Sequence, residues 1–105
     1  MNYPVYVFPA VNGSLLAARR LRAGEKFRYS ETKRDEVLIF DLRNNAQGSE
    51  EVAPRHLKGT LLGRYDYEDF MRKTSALTLN RSYSHCTLTL RDLEEIQAYF
   101  KLQED

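Results

Sequence analysis

The sequence predicts an α+β domain in which a small, mainly antiparallel sheet of about four strands is packed by two or three helices. Short apolar segments in the first part of the chain alternate with a period of two, and turn residues separate them. The C-terminal segment instead repeats its apolar residues at helical spacing. With 105 residues, 42% hydrophobic and 30% charged, the chain is predicted to be one globular domain, 1–105.

Three segments in the first half of the chain predict strands. Tyr3–Phe8 is aromatic and β-branched, and Pro4 and Pro9 place it at a sheet edge because proline cannot donate to a ladder. Glu25–Glu31 alternates aromatic with polar residues, which predicts a strand with both aromatic rings on one face. Glu36–Leu42 is the most apolar run and predicts the central strand.

The connections between these segments are polar. Glu31–Asp35 predicts a hairpin connection into the central strand. Residues 43–54 contain Asn, Gly, Ser and Pro, which predicts a polar loop that could be mobile. A further short strand is expected around Thr60–Leu62, between two glycines.

The segment 14–23 has features of both a strand and a helix. The Asn-Gly pair before it is a hairpin signal. However, Leu15–Ala23 contains only Leu, Ala and Arg, which are strong helix formers. Ser14 could cap a helix there and Gly24 could end it. The composition favours a short helix.

Two helices are predicted in the second half of the chain. Asp66, followed by a second aspartate three residues later, predicts the start of a helix within residues 65–77. Thr89 and Asp92 have the spacing of a capping box. Apolar residues then follow at helical intervals, which predicts a C-terminal helix over Leu90–Leu102.

The composition indicates a soluble protein of a reducing, bacterial-type cytoplasm. No segment approaches the ~20 apolar residues that a membrane helix needs. The first residues carry no positive charge and include two prolines, which argues against a signal peptide. Cys86 is the single cysteine, so the chain cannot form an internal disulfide.

The residues that could carry catalysis form no recognisable constellation. His85 and Cys86 are adjacent, so on a strand they would point to opposite faces, and a catalytic pair would need His56 instead. Two histidines and one cysteine lack the paired spacing of a zinc site. No glycine pattern indicates a phosphate-binding loop. We expect no metal and no cofactor, and the residues favour a protein that is not an enzyme, without excluding one.

The basic segment Arg19–Arg34 has two interpretations. It carries seven basic and two acidic residues, so it could hold nucleic-acid phosphates while Tyr29 stacks on a base. Alternatively its charges are solvated and neutralised, because residues 35–53 carry five acids against one arginine. The net charge is only +1 and the pI is about 7.9, below the ~9 that is common for nucleic-acid-binding domains. The second interpretation is favoured.

Tyrosine and arginine are frequent in this chain. There are seven tyrosines, eleven arginines and no tryptophan. Tyr and Arg anchor many protein interfaces, although half-exposed tyrosines also border protein cores. The candidate partner-binding residues are Arg19, Arg20, Arg22, Lys26, Arg28, Tyr29, Arg64, Tyr65, Tyr67, Arg81 and Tyr83.

The sequence therefore favours a small non-enzymatic protein-binding module that regulates or inhibits a larger intracellular protein or complex, as phage- and plasmid-encoded proteins do. The alternative is a nucleic-acid-binding protein that uses residues 19–34. A variant of this alternative is a small toxin-like ribonuclease. The chain has the Arg, Lys, Tyr and His residues that such an enzyme would use, but they have no distinguishing spacing. The predicted edge strand, Tyr3–Phe8, would also allow a homodimer.

Overall fold

A computed structural model describes residues 5–10, 13–27, 29–42, 50–52, 58–72 and 88–102. Within these residues the chain forms seven strands and two helices. The strands are β1 (Val5–Pro9), β2 (Leu15–Leu21), β3 (Lys26–Phe27), β4 (Ser30–Glu31), β5 (Glu36–Asp41), β6 (Glu50–Glu51) and β7 (Lys58–Asp66). The helices are α1 (Tyr67–Arg72) and α2 (Leu90–Leu102).

The main sheet is antiparallel, as predicted. Its strand order is β1-β2-β5-β7-β6, and every neighbouring pair runs antiparallel. Four strands of five or more residues form most of it, and the two-residue β6 lies along β7. The predicted α+β class is therefore confirmed.

Strand β5 is the middle strand, as its apolar run predicts. Val37 and Ile39 belong to the core on one face of the sheet, whereas Leu38 and Phe40 belong to the core on the other face. Strand β5 pairs with β2 along one edge and with β7 along the other, and a core covers each of its faces, so the run is continuously apolar.

The helix favoured for residues 14–23 is wrong, because Leu15–Leu21 is strand β2. Gly13 has a φ of +86° in the turn between β1 and β2, so the hairpin signal there is the informative one. Strand β2 pairs with β1 along one edge and with β5 along the other. These two ladders and burial on both faces override the helix propensity of Leu, Ala and Arg.

The segment predicted as one strand over 25–31 folds back on itself as the hairpin β3–β4. Lys26 pairs with Glu31 and Phe27 with Ser30, in a two-stranded sheet of its own. Phe27 is buried and Tyr29 is exposed, so the two rings do not share a face. The predicted hairpin between this segment and the central strand is also wrong, because β5 pairs with β2 and β7.

Both helices begin where their capping residues predict. Asp66 Oδ2 accepts a hydrogen bond from the Asp69 backbone N–H at 3.1 Å, before α1. Helix α2 spans the predicted Leu90–Leu102, and α1 ends at Arg72. The rest of the helix predicted within 65–77 lies outside the described residues. No helix of the described part is long and apolar enough to cross a membrane.

The two faces of the sheet carry separate cores. The face that carries α1 and α2 holds the larger one: Phe8, Ala10, Leu16, Ala18, Val37, Ile39, Leu62, Tyr67, Phe70, Leu93, Ile96 and Phe100. The opposite face holds a smaller one: Ala17, Leu21, Phe27, Leu38, Phe40, Leu42 and Val52.

In the predicted loop 43–54, Glu50–Glu51 is strand β6 and Val52 is fully buried. Residues 43–49 and 53–54 of it lie outside the described part.

Candidate functional site

Arg19 and Arg20 point to opposite faces of the sheet because they are neighbours on β2. Arg19 is 6% exposed, and its Nη1 atom is 3.4 Å from the carbonyl oxygen of Val52. The Arg20 side chain is 13% exposed. Both side chains are therefore largely withdrawn from solvent, and their predicted role in partner binding stays a prediction.

Arg20 connects β2 to the start of α1. Its guanidinium carbon lies 3.7 Å from the centroid of the Tyr67 ring, and its Nη2 atom lies 2.6 Å from Asp35 Oδ2. The Ala23 backbone N–H donates to the other carboxylate oxygen of Asp35 at 2.7 Å. The Tyr67 backbone N–H donates to the Asp35 carbonyl oxygen at 2.9 Å. This cluster fixes the position of the turn after β2 and of the segment before β5.

The pKa of Asp35 reflects these contacts. Burial by itself raises the pKa of the Asp35 carboxyl, but the hydrogen bond from Ala23 and the charge and hydrogen bond of Arg20 outweigh it. The net pKa is lower than its ordinary value of 3.8. The carboxylate is therefore ionised at neutral pH and neutralised by Arg20.

Two further acids at this end of the sheet are also paired with arginines. Arg64 Nε lies 2.7 Å from Glu36 Oε1, and the Arg64 guanidinium carbon lies 5.4 Å from the centroid of the Phe27 ring. Arg34 Nη1 lies 3.4 Å from Asp66 Oδ1. Of the predicted tyrosines, Tyr67 belongs to the core and Tyr65 packs against it.

Tyr29 occupies an unusual position in the β3–β4 hairpin. Its φ is +68°, in the left-handed region of the backbone that residues other than glycine rarely adopt. Its side chain is fully exposed, with a relative accessibility of 103%. Among the described residues, it is the one non-glycine residue with a positive φ. The sequence gives no signal for this turn, because no Gly, Asn or Pro lies between Phe27 and Ser30.

Exposed charged residues lie in the hairpin of Tyr29 and next to it along the chain. We call them, together with the tyrosine, the hairpin surface: Arg22, Lys26, Tyr29, Glu31 and Lys33. No ion pair within the described part of the chain involves its three cations. Three of its members were predicted as partner-binding residues, and two, Glu31 and Lys33, were not.

The hairpin is held by its buried side. The Phe27 ring packs edge-on against Phe40, with 6.2 Å between their centroids. The Ser30 hydroxyl donates to the Phe27 carbonyl oxygen at 3.1 Å. The Thr32 and Gly24 backbones are joined by a hydrogen bond of 2.9 Å at the base of the hairpin. Tyr29 is therefore presented on a supported turn.

A cleft of about 990 Å³ lies at the same end of the molecule, beside α1. Four basic and four acidic residues line it, and three pairs of them are already ion pairs: Arg20–Asp35, Arg34–Asp66 and Arg72–Asp69. Because positive and negative residues are equal in number, the lining of the cleft favours neither an anionic nor a cationic ligand.

Arg28, Arg81 and Tyr83 lie outside the described residues, and so do His56, His85 and Cys86. Within the described ranges no three His, Cys, Asp or Glu side chains are grouped so as to hold a metal ion.

Comparison of the chain with protein-family models, with curated proteins and with solved structures finds no match. The hairpin surface is thus the candidate site on the geometry of this chain alone.

Proposed function

We propose that this protein is a small protein-binding module that regulates or inhibits a larger protein, and that the hairpin surface is its contact site. The observation that carries the proposal is the fully exposed ring of Tyr29 on a backbone with positive φ. The proposal includes a bacterial-type cytoplasm, because a chain with one cysteine forms no internal disulfide.

The energetics favour an intermolecular role for Tyr29. A left-handed conformation costs a residue with a side chain about 1–2 kcal/mol, and glycine or asparagine would avoid much of that cost. The exposed ring gains nothing from the core in return. Burying a large apolar side chain against a partner is worth about 1.5–3 kcal/mol, which is enough to offset the strain. Tyrosine is also among the residues that dominate interface energies.

The support of the hairpin adds to this argument. Phe27 packs in the smaller core and the Arg64 guanidinium lies over its ring, so the turn that carries Tyr29 is anchored through Phe27. A residue held in place before binding loses less conformational entropy when the complex forms. Structured turns on a sheet scaffold are common locations for binding residues.

Nucleic-acid binding is the second candidate, because exposed cations and an exposed ring lie on the same surface. It is less favoured. Arg19 and Arg20 are engaged inside the fold, and Glu31 lies among the remaining cations. With about three phosphate contacts, the slope of log affinity against log salt would be only about −2.7.

Affinity capture tests the proposal. The immobilised chain is incubated with extract from the cells in which it is naturally made, with and without nuclease. We expect a stoichiometric protein partner whose recovery survives nuclease and falls at least about tenfold for Tyr29→Gly. Leu102→Ala is the matched control, because Leu102 is 82% exposed and lies at the end of α2. Equal recovery by Tyr29→Gly and the natural chain, or recovery of nucleic acid alone, contradicts the proposal.

A further inference from the structure

We infer that the hairpin surface binds an acidic protein surface that has an apolar recess for the Tyr29 ring. This inference rests on the proposed function and adds the chemistry of the partner. It follows from how the charges at this end of the sheet are distributed between internal pairs and exposed groups.

Three acids near the hairpin are paired with arginines within the fold, and a fourth accepts a backbone hydrogen bond. Asp35 is bound by Arg20 at 2.6 Å, Glu36 by Arg64 at 2.7 Å and Asp66 by Arg34 at 3.4 Å. The carboxylate of Glu25 also accepts a hydrogen bond from the Arg22 backbone N–H at 2.6 Å. These four carboxylates are therefore directed to partners within the chain.

The exposed groups that remain are mostly cationic. Glu31 lies directly opposite Lys26 in the hairpin register, so these two charges largely balance each other. Arg22 and Lys33 are exposed and take part in no ion pair within the described residues. An exposed ring in a segment with an excess of exposed positive charge complements an apolar recess with carboxylates at its rim.

A polypeptide satisfies this surface better than a nucleic acid does. Phosphate backbones need a continuous series of cations, and here Glu31 lies within the surface. Single-stranded nucleic acids also bind to several stacked aromatic rings, whereas Tyr29 is the one fully exposed ring of the described part. An apolar recess on a protein could bind the Tyr29 ring, and separate carboxylates at its rim could pair with the separate cations.

The experiment selects binders from a phage-displayed random-peptide library against the immobilised full-length chain. Selected peptides are then measured in solution at about 50 and about 200 mM salt. The variants are Tyr29→Gly, Lys33→Glu and Arg22→Glu. Lys58→Glu is the matched charge control, because Lys58 is exposed and begins β7 at the end opposite to Asp66. Single-stranded DNA and RNA oligonucleotides are measured in parallel.

We expect the peptides that require Tyr29 to be enriched in Asp and Glu around an aromatic or aliphatic residue. Lys33→Glu and Arg22→Glu should each weaken the binding of these peptides about three- to tenfold. Raising the salt concentration should weaken peptide binding to the natural chain more than peptide binding to Lys33→Glu. Lys58→Glu should bind as the natural chain does.

The outcomes separate this inference from the proposed function. Peptides that require Tyr29 but are not acidic, and that bind equally well to Lys33→Glu, overturn the inference and leave the proposed function in place. Peptides that bind Tyr29→Gly as well as the natural chain contradict the proposed function. Oligonucleotide binding that requires Tyr29, with no peptide selected, overturns both in favour of nucleic acid.

Discussion

The guanidinium of Arg20 stacks on the ring of Tyr67, with 3.7 Å between the guanidinium carbon and the ring centroid. The contact joins the end of β2 to the first residue of α1, and Asp35 closes it from the segment before β5. Arg20, which the sequence analysis predicts to be a partner-binding residue, thus connects three parts of the chain within the fold.

Arg20→Met should therefore destabilise the fold. It keeps the aliphatic bulk but removes the cation–π contact and leaves the Asp35 carboxylate without its closest partner. We expect a loss of about 2 kcal/mol in the free energy of unfolding, and about 1 kcal/mol for Arg20→Lys, which keeps the charge but not the planar group. Urea denaturation at neutral pH measures both.

Arg34→Met is the control for this comparison. Its partner atom in Asp66 is 3.4 Å away and its side chain is 72% exposed, so we expect a loss below about 0.5 kcal/mol. Equal losses for Arg20→Met and Arg34→Met would show that the contact with Tyr67 contributes nothing.

Stability should depend on pH through Asp35. Because its folded-state pKa lies below 3.8, the ionised carboxylate stabilises the fold at any pH above the ordinary value. That contribution is lost as the pH falls through the lowered pKa. The free energy of unfolding of the natural chain should thus exceed that of Asp35→Asn at neutral pH, with a difference that shrinks below about pH 4. Denaturation of both chains across this range measures the difference, and one that is constant with pH would contradict the assignment.

Local signals in the sequence predict some elements well. The continuous apolar run predicts the central strand β5, and Thr89 with Asp92 predicts where α2 begins. Strand β2 could not be predicted in this way, because its composition favours a helix and its state depends on pairing with β1 and β5.

The site is predictable only in part, for a related reason. The sequence indicates Tyr29 as a candidate from its residue type, but nothing in the residues around it signals a turn with positive φ. The internal role of Arg20 depends on Tyr67, which lies far away in sequence and approaches only when α1 packs on the sheet. Contacts of this kind are fixed by tertiary packing.

The capping box of α2 gives a third expected outcome. The Asp92 backbone N–H donates to Thr89 Oγ1 at 3.2 Å, and the Thr89 backbone N–H donates to Asp92 Oδ2 at 2.9 Å. Thr89→Ala should lower the free energy of unfolding by about 1 kcal/mol because one of the helix N–H groups loses its acceptor. Arg91→Ala, at an 88% exposed side chain in the same turn, should change it little. Thermal unfolding followed by circular dichroism compares the two, and equal stability of the variants would show that the cap is dispensable.

Relieving the backbone at position 29 should stabilise the protein while it weakens partner binding. Tyr29→Asn and Tyr29→Gly both tolerate a positive φ, and glycine loses part of its gain because it makes the unfolded chain more flexible. We expect Tyr29→Asn to raise the free energy of unfolding by about 0.5–1 kcal/mol, Tyr29→Gly by less, and Tyr29→Ala to leave it nearly unchanged because alanine keeps the strain. Denaturant unfolding of the three variants measures this order. If Tyr29→Asn were less stable than the natural chain, the ring would be contributing to the fold, and the reason for assigning it to a partner would be lost.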